Sequence, residues 1–198
     1  MQQNLDPRVQ AIVQRALDNA TGNGGEVGLQ VAAYLDGKLI VDAWSGIADP
    51  QDLRPVDGDT LFNVYSVTKA VAATALHILA ERGYIEYDAP VSRYWPEYGA
   101  NGKEATTVRH VLTHRACVPQ MPRDVTPQRM CDWDWMIRAI ADLEPLWEPG
   151  TKVGYHAWTW GWIVGEIVRR ADGRSLAQVA AAELCQPLGI ESFFLGIP

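Results

Sequence analysis

Ser66 and Lys69 stand three residues apart in "NVYSVTKAVAATAL", residues 63–76. That spacing is close to one helical turn, so both side chains would share a face. A serine hydroxyl needs a base before it can attack a carbonyl, and an amine can be that base. Ala70, Val71, Ala72 and Ala73 follow directly; small apolar neighbours disfavour a charged ammonium and leave an amine able to accept a proton. "LFNVY" reads as a short extended piece feeding a helix that begins at Ser66. The unpaired N–H groups of a helix start would stabilise an oxyanion there. Two plainer roles compete. Serine at a helix start is a common N-cap, and a first-turn lysine commonly reaches for water. S-x-x-K also arises by chance about once in a chain of this size, so the placement matters more than the pattern.

A second constellation is "LEPLWEPGTKVGYHAWTWGWIVGEIVRRADG". Tyr155 falls on a glycine-flanked hinge just before a long helix. A phenol there can hydrogen-bond a serine oxygen and relay a proton to a leaving group. As a plain packing residue it would join Trp158, Trp160 and Trp162. His156 could line the substrate cleft, or it could cap the following helix or face solvent. Glu166, Arg169 and Arg170 read as a solvated helix face. His110 and His114 are spaced for a metal, but no third ligand is evident and no metal is expected.

The elements that must position these groups show in the periodicity. Asp6 and Pro7 start a helix carrying Val9, Ile12, Val13, Ala16 and Leu17 at helical spacing. Residues 27–44 then alternate around Asp36-Gly37, a β-hairpin signal. From Ser66 onward the chain reads as helices over about 66–82, 107–114, 128–142, 157–171 and 175–185, punctuated by Gly and Pro. The expected division is residues 1–62, with the helix and hairpin, and residues 63–198, mostly helical. Two strands make a marginal sheet and call for partner strands, which the sequence after the hairpin does not provide.

Composition narrows the function. Of 198 residues, 47% are hydrophobic and 21% charged, as in a globular protein, and the net charge is −7. Without a long basic run, nucleic acid and anionic membrane are not expected partners. The N-terminus has no charged n-region followed by an apolar h-region, and no stretch is long enough to span a membrane. Cys117, Cys131 and Cys185 form no disulfide or zinc pattern, so a reduced, cytoplasmic setting is expected.

"SVTK", "VLTHRACVP" and "WEPGTKVGYHAWTWGWIVGEIVRRADG", in this order and spacing, resemble the serine β-lactamase and penicillin-binding superfamily, in particular its class C-like family VIII carboxylesterases. The resemblance implies an α/β fold of the α+β kind, β-lactamase-like, with an antiparallel sheet region beside a large helical region. It implies Ser66 as the acyl-forming nucleophile, Lys69 as its base or hydrogen-bond partner, and Tyr155 as the first residue of a Tyr-x-Asn element. The third position is Ala157, where relatives carry an amide that grips a substrate's amide, so simple esters are favoured over β-lactams or peptides. Cys117 stands where relatives often carry glycine and is read as a packing variant, and the resemblance places "LTH", residues 112–114, as a structural element beside the site. No cofactor is implied.

The family's third element, Lys-Thr-Gly or an equivalent on an edge strand, does not follow Tyr155. The expectation is therefore an N-terminal part whose sheet is incomplete, with a complementing C-terminal segment or second chain as partner. The expected activity is hydrolysis of small acyl esters through an acyl-enzyme, with these 198 residues alone expected to be inactive until the complementing segment is supplied. A β-lactamase or D-Ala-D-Ala peptidase is the alternative within enzymes, and a non-catalytic binding or assembly module is the alternative of another class.

Overall fold

The computed structural model describes residues 5–196. The chain forms two compact units, residues 1–63 and 64–198.

The first unit sets a helix on a small sheet. Helix α1 (Pro7–Gly22) starts where Asp6 accepts hydrogen bonds from the backbone N–H groups of Arg8 and Val9, with Pro7 inside the first turn. Strands β1 (Gly28–Leu35) and β2 (Lys38–Asp49) pair antiparallel across Asp36 and Gly37, both at positive φ (50° and 72°). This is the conformation an Asp-Gly hairpin turn requires. Leu17, Val41 and Ala43 are buried, with Val9, Val13, Leu29, Val31 and Ala33 packed on them. A bulge between Ala33 and Tyr34 shifts the alternation, so Leu35 ends exposed rather than inward.

The sheet has three strands, not the two legible in the sequence. Arg54–Pro55 forms β3 and pairs with Ile47 and Asp49 at the end of β2. At two residues, with a proline on the edge, it carries no alternation to read.

The second unit is helical and contains one isolated bridge, Pro90 to Thr107, among its described residues. Its long helices are α2 (Thr68–Glu81) and α6 (Thr159–Asp172). Ala75, Leu76 and Leu79 of α2 pack with Ile163, Val164 and Ile167 of α6 in one core. Helix α3 (Val108–Leu112) adds Val108 and Val111 to that core. The helix expected over 128–142 is two pieces, α4 (Pro127–Met130) and α5 (Trp133–Ala141). The break has a local cause: Asp132 turns out of the helix and caps α5, accepting from Trp135 N at 2.9 Å. Helix α7 (Leu176–Ala180) opens with a capping box of Ser175 and Gln178 and runs on through a π turn at Ala181–Cys185. Lys103 is wholly buried, its ammonium donating to the carbonyls of Ala100, Ala141 and Leu143.

Candidate active site

Ser66 does not cap the helix that follows it. It lies in a 3₁₀ turn, Tyr65–Val67, and α2 begins at Thr68 with no side-chain cap. Residues 61–64 join no sheet, and Val64, at φ −96° and ψ 4°, is not extended. Tyr65 instead takes a left-handed φ of 45°, a sharp reversal that puts the next side chain outside the helix. The Ser66 hydroxyl is thereby free of capping duty and meets two side chains.

Lys69, one turn on, donates from Nζ to Ser66 Oγ at 3.0 Å and to the Ala157 carbonyl at 2.9 Å. Tyr155, 89 residues away in sequence, donates from its hydroxyl to Ser66 Oγ at 2.8 Å. Its phenol is held below the usual tyrosine range by the hydrogen bond with Ser66 and then by the hydrogen bond and charge of Lys69. The Lys69 ammonium also lies 5.2 Å from the centre of the Tyr155 ring. The apolar residues that follow Lys69 do not enclose it. Ala70 is exposed, and the groups that meet the ammonium are a hydroxyl, a carbonyl and two aromatic faces.

The loop carrying Tyr155 is fastened from behind. Gly154 donates to the His114 carbonyl at 3.0 Å, and Trp147 packs so closely that a Cβ on Gly154 would come within 2.4 Å of its ring. His156 does not line the cleft, and it neither caps a helix nor faces solvent. It is 1% exposed; Nε2 accepts from Val118 N at 3.1 Å, so Nδ1 carries the proton toward the Gly154 carbonyl. Burial holds its pKa down at about 4, leaving a neutral ring that ties two loops together.

Other candidates also find their places. His110 closes a capping box at the start of α3 with Thr107, while His114 faces Tyr155, so the two imidazoles serve different neighbours. Cys117 is buried at φ 69°, a conformation that favours glycine, and burial pushes its thiol up. Glu166 is not on a solvated face. Its side chain is buried and accepts from Arg169, Arg170 and Trp133 Nε1. Burial alone would push its carboxyl up, but these hydrogen bonds outweigh that and hold it below the usual range.

A cleft of about 580 Å³ is walled by Trp133, Trp158, Trp160 and Trp162 and reaches Lys69 and Ala157. Ser66 and Tyr155 are not among its walls, so the tryptophans enclose space beside the triad and not around the hydroxyl.

The second unit is mostly helical and joins a serine, a lysine and a tyrosine at one oxygen. The Beta-lactamase family model matches residues 9–198, and the chain belongs to that family. The esterase/beta-lactamase LipL of Mycobacterium tuberculosis (strain ATCC 25618 / H37Rv) is 38% identical over 195 residues, 98% of this chain and 44% of LipL. Esterase EstB of Burkholderia gladioli is 30% identical over 94% of this chain and 50% of EstB. The crystal structure of a family VIII carboxylesterase matches with a TM-score of 0.91 at 38% identity, covering all of this chain and 54% of the other. The fold is thus β-lactamase-like, and the chain spans about half the length of the curated relatives it matches.

Proposed function

We propose that this chain carries the nucleophile half of a serine esterase that works through an acyl-enzyme. The single observation behind this is the meeting of Lys69 Nζ and Tyr155 Oη on Ser66 Oγ, at 3.0 and 2.8 Å. Lys69, as a cation, favours the phenolate form of Tyr155. The same 2.8 Å contact then runs the other way, with Ser66 Oγ–H donating to the phenolate. As Ser66 Oγ bonds to the ester carbonyl carbon, its proton passes to Tyr155. Tyr155 returns that proton to the departing alkoxide as the carbon–oxygen bond breaks, and an alcohol leaves. Water repeats the cycle on the acyl-enzyme, releasing the acid and restoring Ser66. General acid–base assistance of this kind contributes about 10²–10⁴-fold.

Ala157 supports esters over β-lactams. Its backbone carbonyl holds Lys69, and its methyl group offers no amide to grip a substrate's amide. A β-lactamase is the second reading, favoured by the relative named esterase/beta-lactamase. A complementing C-terminal segment or second chain is proposed to supply the other oxyanion donor; lacking one such donor costs about 10²–10³ in turnover.

The test is hydrolysis of p-nitrophenyl butyrate and of nitrocefin by the chain and its Ser66→Ala variant, each supplied with the complementing C-terminal segment. Ester turnover that vanishes in the variant, with nitrocefin untouched, supports the esterase. Nitrocefin turnover at a comparable rate supports the second reading. Ester turnover unchanged in the variant would remove Ser66 from the mechanism.

A further inference from the structure

His114 holds Tyr155 from three directions. Its backbone carbonyl accepts from Gly154 N at 3.0 Å, on one side of Tyr155 in the chain. Its Nδ1 accepts from His156 N at 3.2 Å, on the other side. Its ring lies 4.8 Å from the Tyr155 ring, centre to centre, at 57°. Residue 114 is therefore bonded to both chain neighbours of the tyrosine and packed against the phenol itself. His114 adopts φ 57°, so the backbone here is already turned to present carbonyl and ring to the same loop.

The clamp works in one protonation state. An Nδ1 that accepts from His156 N must lack a proton, which leaves the proton on Nε2. A second proton would set two donors against each other at 3.2 Å. It would also place a second cation near Lys69. The titratable groups that face His114 are Lys69 on α2 and Tyr155 and His156 on the loop; α6 presents the uncharged ring of Trp160. Burial first, then the Lys69 charge, hold His114 below the usual histidine range. The neutral clamp thus persists through neutral pH.

We propose that neutral His114 is the positioning residue for Tyr155, and that protonating it disengages the tyrosine from Ser66. This rests on Tyr155 being the group that exchanges a proton with Ser66. Misplacement of a catalytic group by 1 Å can cost about 10²-fold, so the effect is large enough to read as a rate.

The experiment follows the pseudo-first-order rate of Ser66 labelling by a fluorophosphonate probe, by intact mass, from pH 4.5 to 9. Four forms of the full chain are compared: wild type, Tyr155→Phe, His114→Ala and His114→Asn. Alanine removes both ring and acceptor. Asparagine places a non-titrating oxygen near the position of Nδ1 and tolerates a left-handed backbone. His114→Ala is expected to label about 10²-fold more slowly than wild type, and His114→Asn to recover most of that loss. As pH falls, the wild-type rate should first decline with one proton, as Tyr155 protonates, and then with two, once His114 does. His114→Asn should keep the one-proton decline throughout. Should the alanine variant fail to fold, the wild-type and asparagine pH profiles carry the same test. Labelling of His114→Ala at the wild-type rate, or a two-proton decline retained in His114→Asn, overturns the proposal. Wild type that does not label, or Tyr155→Phe labelling as fast as wild type, overturns the reading of Tyr155 and this proposal with it.

Discussion

Glu166→Gln keeps the shape of a buried side chain and removes its charge. Each carboxylate oxygen of Glu166 accepts two hydrogen bonds: Oε2 from Trp133 Nε1 and Arg169 Nε, Oε1 from Arg169 Nη2 and Arg170 Nε. Whichever oxygen becomes an amide nitrogen, two of these bonds turn into donor against donor. A hydrogen bond to a charged group contributes about 1.5–3 kcal/mol. Arg169 and Arg170 are 38% and 33% exposed, so water recovers part of that loss and the lower end applies. The expected cost is about 2–4 kcal/mol. At about 2–4 °C per kcal/mol for a chain of this size, the thermal midpoint should fall by roughly 4–16 °C. The pH dependence has a definite sign. A carboxyl held low in the folded state stabilises fully above the usual glutamate range, and that contribution is lost as pH falls through its depressed folded value. The gap between wild type and variant should therefore be widest at pH 7 and narrow on acidification below about pH 4. Tryptophan fluorescence during thermal unfolding at several pH values reads both effects. A shift under about 2 °C at pH 7, or a gap that widens with acid, would mean that the Glu166 carboxylate is not held by these hydrogen bonds.

Two further perturbations probe the frame around the site. Lys103→Met leaves the carbonyls of Ala100, Ala141 and Leu143 without their shared ammonium, and the urea midpoint should drop by the equivalent of about 3 kcal/mol; an unchanged midpoint would contradict the role given to Lys103. Gly154→Ala drives a methyl group to within 2.4 Å of the Trp147 ring, so the Tyr155 loop or the Trp147 ring must shift. Fluorophosphonate labelling of Ser66 should slow at least about 10-fold, and labelling at the wild-type rate would show that the loop's position does not matter.

Much of the frame is legible from period and punctuation. Asp6-Pro7 marks the start of α1 and Asp36-Gly37 the hairpin turn, because each residue type suits the backbone it must adopt. The break between α4 and α5 is harder, because Asp132 within a helical pattern looks like a surface residue until it is seen capping. Glu166 misleads for the opposite reason. With arginines three and four residues on, it looks like an exposed ion-pair ladder, and nothing in that spacing shows that its carboxylate is buried and bonded to Trp133. At the site, the spacing of Ser66 and Lys69 implies their contact, whereas Tyr155 reaches Ser66 across 89 residues, and only the order of family-like blocks points to it. The place of His114 could not be read from spacing, since it depends on a left-handed turn and on the neighbours of Tyr155. Its one sequence signal was the Thr-His pair inside "VLTHRACVP".

The proposed function stands on Ser66 being an activated nucleophile. The most direct measurement treats the chain with a fluorophosphonate probe and locates the adduct by tandem mass spectrometry, with Ser66→Ala as control. Since Ser66 caps no helix, the variant should unfold within about 0.5 kcal/mol of wild type, so lost labelling cannot be blamed on lost structure. A single adduct on Ser66, absent from the folded variant, is the predicted result. An adduct on another residue, or none on wild type under conditions that label a control serine hydrolase, would contradict it.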